Sequence, residues 1–224
     1  MCFPISDLGG DTFNYHWLDD NNLVFYLVDV SGHGLDSALL SVTIMNVLRS
    51  RSLPDTDFRM PGQVLRALNE AFQMESYGDK FFTIWYGVFD RKTYQLKYAS
   101  GGHPPVLLYL PVPTCREGEA ETAANYKQIL LSSKNSMIGV FPGMDFDADQ
   151  IQVLPQSRLY LYSDGVYEIH RPEGGDWRFD EFTAFMSEPG DPAVSHLDRL
   201  LEHVRKLKAS TVLDDDFSMI EITF

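Results

Sequence analysis

The chain has 224 residues, 44% of them hydrophobic, and a formal net charge of −14. That length and apolar content fit one globular domain, 1–224, with a sizeable core, not a disordered chain. No Lys or Arg precedes Arg49, which argues against nucleic acid as a partner, because that binding is dominated by cationic contacts to phosphate.

No apolar run approaches the roughly 20 residues of a membrane span, and the amino terminus lacks the pattern of a secretory signal. Cys2 and Cys115 are too few and too isolated for a disulfide framework or a zinc cage. A cytoplasmic location is expected.

In chain order, Thr12 to Leu18 alternates as a first strand, and Asp19-Asp20-Asn21-Asn22 is a turn cluster. Leu23 to Val30 then returns as the second strand of a hairpin. From Leu35 to Ser50 the residues Leu39, Leu40, Ile44, Val47 and Leu48 have helical spacing and are apolar nearly all round, which predicts a buried helix. Gln63 to Met74 is a second helix, with Leu65, Leu68 and Phe72 on one face. Phe81 to Phe89, Tyr94 to Tyr98, Val106 to Leu110 and Arg158 to Tyr162 read as strands. Pro111 to Ala124 reads as a surface loop. Val194, Leu197, Leu200, Leu201, Val204 and Leu207 mark an amphipathic helix, and Phe217 to Phe224 a final strand. Strands in hairpin order with helix pairs between them predict an antiparallel α+β fold.

Four acids share one setting, a strand boundary beside Gly or further Asp. They are Asp11 after Gly9-Gly10, Asp29 at the exit of the second strand, Asp164 before Gly165, and the run Asp214-Asp215-Asp216. Each alone reads more readily as a turn than as a ligand. Together they would need a counter-charge to coexist at neutral pH. All-oxygen donors without cysteine suit Mg²⁺ or Mn²⁺, and four carboxylates balance two such ions.

Gly9-Gly10-Asp11, Asp29-Val-Ser-Gly-His-Gly34, Ser100-Gly-Gly-His-Pro-Pro105, Ser163-Asp-Gly165 and Asp215-Asp216 resemble, in order, the motifs of metal-dependent Ser/Thr protein phosphatases. The closest branch is the bacterial stage-II-sporulation-E type, which includes regulators of stress sigma factors. The resemblance implies an α-β-β-α sandwich of two mainly antiparallel sheets flanked by helix pairs, with two ions, Mn²⁺ or Mg²⁺, at one end of the sheets. It implies that Asp29 bridges both ions and that the Val30 carbonyl binds one of them. Asp11 serves the second ion, Asp164 the first, and Asp215 is the ligand from the last motif, with Asp214 and Asp216 leaving that register open by one. Water activated by the two metals would attack phosphorus, through Asp29, Asp164 and Asp215.

The implied substrate is a phosphoserine or phosphothreonine on a bacterial signalling protein such as an anti-sigma-factor antagonist. The chain is then expected to be a catalytic domain excised from a longer protein with an upstream sensor or receiver domain. His33 and His103 sit in family motifs without assigned chemistry. The arginine that holds phosphate near the first acid in animal members has no counterpart here. Two other readings are a catalytically weak relative acting as a regulatory binding module and, from Gly9-Gly10-Asp11 alone, a nucleotide cyclase. The missing Glu-Phe after Asp11 counts against the cyclase.

Overall fold

A computed structural model describes residues 9–112, 126–188, 193–210, 213 and 215–224, with the backbone of Cys2–Phe3. The strands are β1 (Cys2–Phe3), β2 (Thr12–Trp17), β3 (Asn22–Val30), β4 (Phe82–Asp90), β5 (Gln95–Gly101), β6 (Val106–Pro111), β7 (Tyr126–Leu131), β8 (Asp149–Gln152), β9 (Arg158–Tyr162), β10 (Ile169–His170), β11 (Asp176–Trp177) and β12 (Phe217–Thr223). The α-helices are α1 (Leu35–Ser50), α2 (Pro61–Ala71), α3 (Phe179–Ser187) and α4 (His196–Lys208). The chain forms two compact units interleaved in sequence. Ser6–Pro105 with Ser132–Val153 is termed the early unit; Met1–Ile5, Val106–Leu131 and Leu154–Phe224 form the late unit.

The early unit is built on an antiparallel sheet in the order β2-β3-β4-β5-β8. Its first hairpin closes where the sequence predicts: Asp19 Oδ1 accepts the backbone N–H groups of Asn21 and Asn22 at 2.8 and 2.9 Å, an Asx turn. Val24, Tyr26, Val28, Ile84, Tyr86 and Val88 share a core with Ile44 and Leu48 of α1 and Leu65 and Leu68 of α2. The two helices therefore cover the face of the even-numbered positions. Side chains alternate along a strand, so Phe25, Leu27 and Asp29 project from the other face.

The expected burial of α1 is only partly met. Leu40, Ile44 and Leu48 are buried, but Leu35, Leu39 and Val42 are 60%, 57% and 46% exposed. The helix meets the sheet along one stripe, and apolar residues outside it remain in solvent. The second helix starts at Pro61, a residue suited to a first helical position, and ends at Ala71, three residues short of the prediction.

The late unit has the antiparallel order β1-β12-β9-β6-β7 and a separate β10–β11 hairpin. Tyr162, Trp177, Phe182, Leu200, Val204 and Met219 pack in its core with α3 and α4. Ser195 caps α4, its Oγ accepting the Asp198 N–H at 3.0 Å. The strands β7 and β8 and the helix α3 are not in the sequence reading; Glu173–Asp176 lies in the β10–β11 hairpin. Residues 113–125, which hold most of the predicted surface loop and Cys115, and Asp214 lie outside the described residues. The fold class is α+β, two antiparallel sheets each with its own helix pair, as predicted. No helix among the described residues is long and apolar enough to cross a membrane.

Candidate functional site

In the early unit, strand register places the first two acids. Thr12 pairs with Val28 and Thr83 with Asp29. One step beyond the β2 ladder, Asp11 comes opposite Asp29. Asp11, Asp29 and Thr83 therefore form one row across three strands, on the sheet face turned away from the helices. Neighbours in such a row have Cβ atoms roughly 4.5–5.5 Å apart, and like charges set opposite are destabilising. Both acids are half-buried, and a cation between them would offset that repulsion. Gly10 keeps the entry to this row narrow: a Cβ there would lie 2.5 Å from the Val30 carbonyl oxygen.

The turn after Val30 needs glycine, since Gly32 and Gly34 take φ of 79° and 87°. Ser31 fixes it from both sides. Its N–H donates to Phe81 O at 3.0 Å, and its Oγ accepts the Phe81 N–H at 3.1 Å. The buried Ser37 in the first turn of α1 donates to Ser31 O at 3.2 Å. Lys80 Nζ donates to Ser37 Oγ at 2.9 Å and to Ser31 O at 3.4 Å.

Sequence reasoning finds no basic residue near the first acid. Strand pairing brings one, Lys80, to the turn that follows Asp29. An ammonium at a helix amino terminus is disfavoured by the helix dipole, and Lys80 forms no ion pair among the described residues. His33, in the same turn, is exposed.

In the late unit, β9 and β12 carry the other two acids to adjacent ends. Ser163 N–H donates to Ser218 O at 3.0 Å, Ser218 N–H to Ser163 Oγ at 3.1 Å, and Ser163 Oγ to Asp216 O at 3.0 Å. This clasp places Asp164, in the 3₁₀ turn Asp164–Val166, beside the segment entering β12. Gly165 repeats the role of Gly10, because a Cβ on it would strike the Asp216 carbonyl and approach Asp215. Burial, then the charge of Asp215, then that of Glu168 push the Asp164 carboxyl up to about 6. Asp215 is exposed, whereas Asp216 is buried.

His103, from the Ser100–Pro105 motif, is buried; its Nδ1 lies 2.9 Å from Pro104 O, so that nitrogen carries the proton and donates. Ser100 Oγ donates to His103 O at 3.1 Å. Burial pulls the imidazole down to about 4, so it is neutral and shapes the turn.

Each unit thus brings together one predicted pair, Asp11 with Asp29 and Val30, and Asp164 with Asp215. Among the described residues no three His, Cys, Asp or Glu side chains gather closely enough to hold a metal ion by themselves. The carboxylates and the Val30 carbonyl offer only oxygen, the donor chemistry of Mg²⁺ and Mn²⁺. The stacked negative charge of each pair fits such an ion.

Residues 19–224 match the family described as Stage II sporulation protein E (SpoIIE). Phosphoserine phosphatase RsbP of Bacillus subtilis (strain 168) is 24% identical over 97% of this chain and 50% of that protein. Phosphoserine phosphatase RsbU of the same organism is 26% identical over 98% of this chain and 61% of that protein. The chain therefore spans 50% and 61% of the length of these two relatives. The solved SiaA-PP2C domain of Pseudomonas aeruginosa has the same fold, with a TM-score of 0.79 at 17% identity over 100% of this chain and 84% of that one.

Proposed function

Because this chain belongs to the stage II sporulation protein E family, we propose that it is a metal-dependent protein serine/threonine phosphatase whose two units act as one catalytic domain, 1–224. The observation that carries the metal reading is the β2–β3 register, whose last pair is Thr12–Val28 and which, continued one residue to where Gly10 meets the Val30 carbonyl, would bring Asp11 opposite Asp29. Two carboxylates held face to face on a sheet are costly without a cation.

Asp11, Asp29 and the Val30 carbonyl would hold a divalent ion, Mn²⁺ or Mg²⁺, in the early unit, and Asp164 and Asp215 would hold one in the late unit. When bound, such ions offset the charge of the phosphoryl group and acidify water, so that no side-chain nucleophile is needed. The chain's own part is to place oxygen donors rigidly. The Ser31–Phe81 pairing and the Lys80–Ser37 contacts fix the turn after Val30, and the Ser163–Ser218 clasp fixes Asp164.

Two curated relatives are named phosphoserine phosphatases, which supports phosphoserine as the group hydrolysed. The proposed substrate is a phosphorylated bacterial signalling protein of the anti-sigma-factor-antagonist kind, met in the cytoplasm. The proposed whole protein carries a further regulatory domain upstream.

The test is hydrolysis of para-nitrophenyl phosphate with Mn²⁺ and with chelator, for the natural sequence, Asp29→Asn and Asp164→Asn. Mn²⁺-dependent turnover lost in both variants supports the reading. Full turnover by either variant at saturating Mn²⁺ sinks the residue assignment, and no turnover by the natural sequence leaves a protein-binding role. Candidate phosphorylated antagonists, with Asp29→Asn as control, then identify the substrate.

A further inference from the structure

Thr83 is a residue that no motif marks. It stands directly opposite Asp29 in the β3–β4 ladder, so the two side chains leave the same face of the sheet as direct neighbours. Its Oγ1 is buried and has no hydrogen-bond partner among the described residues. A buried hydroxyl without a partner costs about 1–3 kcal/mol, and valine has nearly the same shape without that cost. The flanking positions on this face of β4 and β3 are apolar, Trp85 and Leu27, both fully buried. A hydroxyl in that setting calls for a polar partner, and the row supplies one in the carboxylate of Asp29.

We propose that Thr83 is a positioning residue of the metal site: its hydroxyl donates to the Asp29 oxygen that a bound divalent cation leaves unused. Ligating carboxylates are generally held by such outer hydrogen bonds, whose loss costs about 10–100-fold in metal affinity. The inference rests on the metal-site reading above and assigns a residue to it.

The distinguishing feature is a split between stability and binding. In a purely structural role, Thr83→Val removes an unsatisfied hydroxyl and changes nothing else. In the positioning role, Thr83→Val leaves the metal-free Tm unchanged or higher, yet weakens Mn²⁺ binding by about tenfold. Thr83→Ser, which keeps the hydroxyl, binds Mn²⁺ within about threefold of the natural sequence on the same reasoning.

Isothermal titration of Mn²⁺ into the metal-free protein reads this directly, alongside thermal melts of the same samples. Natural affinity in Thr83→Val would overturn the role of Thr83 while leaving the metal site intact. So would equal weakening in Thr83→Ser and Thr83→Val, because the hydroxyl would then not be the cause. No Mn²⁺ uptake by the natural sequence would remove the metal-site reading and Thr83's role with it.

Discussion

The acid pairs of the early and late units share one device and differ in how they are held. In each, a glycine packs on a backbone carbonyl beside an acid, Gly10 on Val30 and Gly165 on Asp216. The early half is braced by side chains: Lys80 and Ser37 hold the Ser31 carbonyl, and Ser31 is locked to Phe81. The late half is held by the Ser163 clasp, through both its backbone N–H and its Oγ, and the charges acting on Asp164, from Asp215 and Glu168, are both negative. Each unit thus sets a fixed frame beside like charge that a cation would offset.

The largest effect separates the neighbouring acids of the late half. Asp215→Asn is expected to lower Mn²⁺-dependent turnover by at least about a hundredfold, the upper range for losing even an outer partner of a metal ligand. Asp216→Asn, at a buried position, is expected to act mainly on stability. Steady-state rates and melting curves of the two variants distinguish them. Equal turnover loss with unchanged stability would put the ligand register at Asp216.

Acid should act with opposite sign in the two units. His103 is held at about 4, below its ordinary value, so its stabilisation is complete above pH 6.5 and is lost as pH falls from 6.5 to 4. The loss amounts to about 3 kcal/mol. Asp164 is raised to about 6, so protonation relieves the metal-free fold as pH falls from 6 towards 4. In metal-free melts across pH 4–7, His103→Gln should flatten the decline and Asp164→Asn should steepen it. Parallel profiles for all three proteins would contradict both assignments.

The glycines test the shared device. Gly10→Ala and Gly165→Ala each force a Cβ against a carbonyl oxygen, at a cost of about 1–3 kcal/mol by denaturant titration. If either substitution is neutral, that carbonyl is not held where the fold puts it. The smallest effect is a gain. Asp164→Asn removes like-charge repulsion and should raise the metal-free Tm at pH 7.5 by about 2–4 °C, the shift that about 1 kcal/mol gives a chain of this size. A lower Tm would mean that Asp164 is held by favourable contacts and not strained.

The acids and their strand ends were legible in the sequence because turn residues and apolar periodicity bracket each one. The fold class followed from hairpin order. Lys80 and Thr83 were not legible, since they meet the Asp29 turn only through the β3–β4 register, some 50 residues along the chain. The helix α3 escaped because its short apolar pattern, Phe179, Phe182 and Met186, follows the polar Glu173–Asp176 turn and gives barely two helical turns to read. Composition also overstated the burial of α1. Leu35, Leu39 and Val42 satisfy an apolar pattern, but a pattern cannot say which stripe another element covers.

In the proposed metal site, the carboxylates of the Asp29 row bind a divalent cation. Calorimetric titration of Mn²⁺ into the metal-free natural sequence and into Asp29→Asn tests it most directly. Saturable uptake by the natural sequence and its loss in a folded Asp29→Asn protein are expected. Uptake with unchanged affinity and stoichiometry in Asp29→Asn would contradict it.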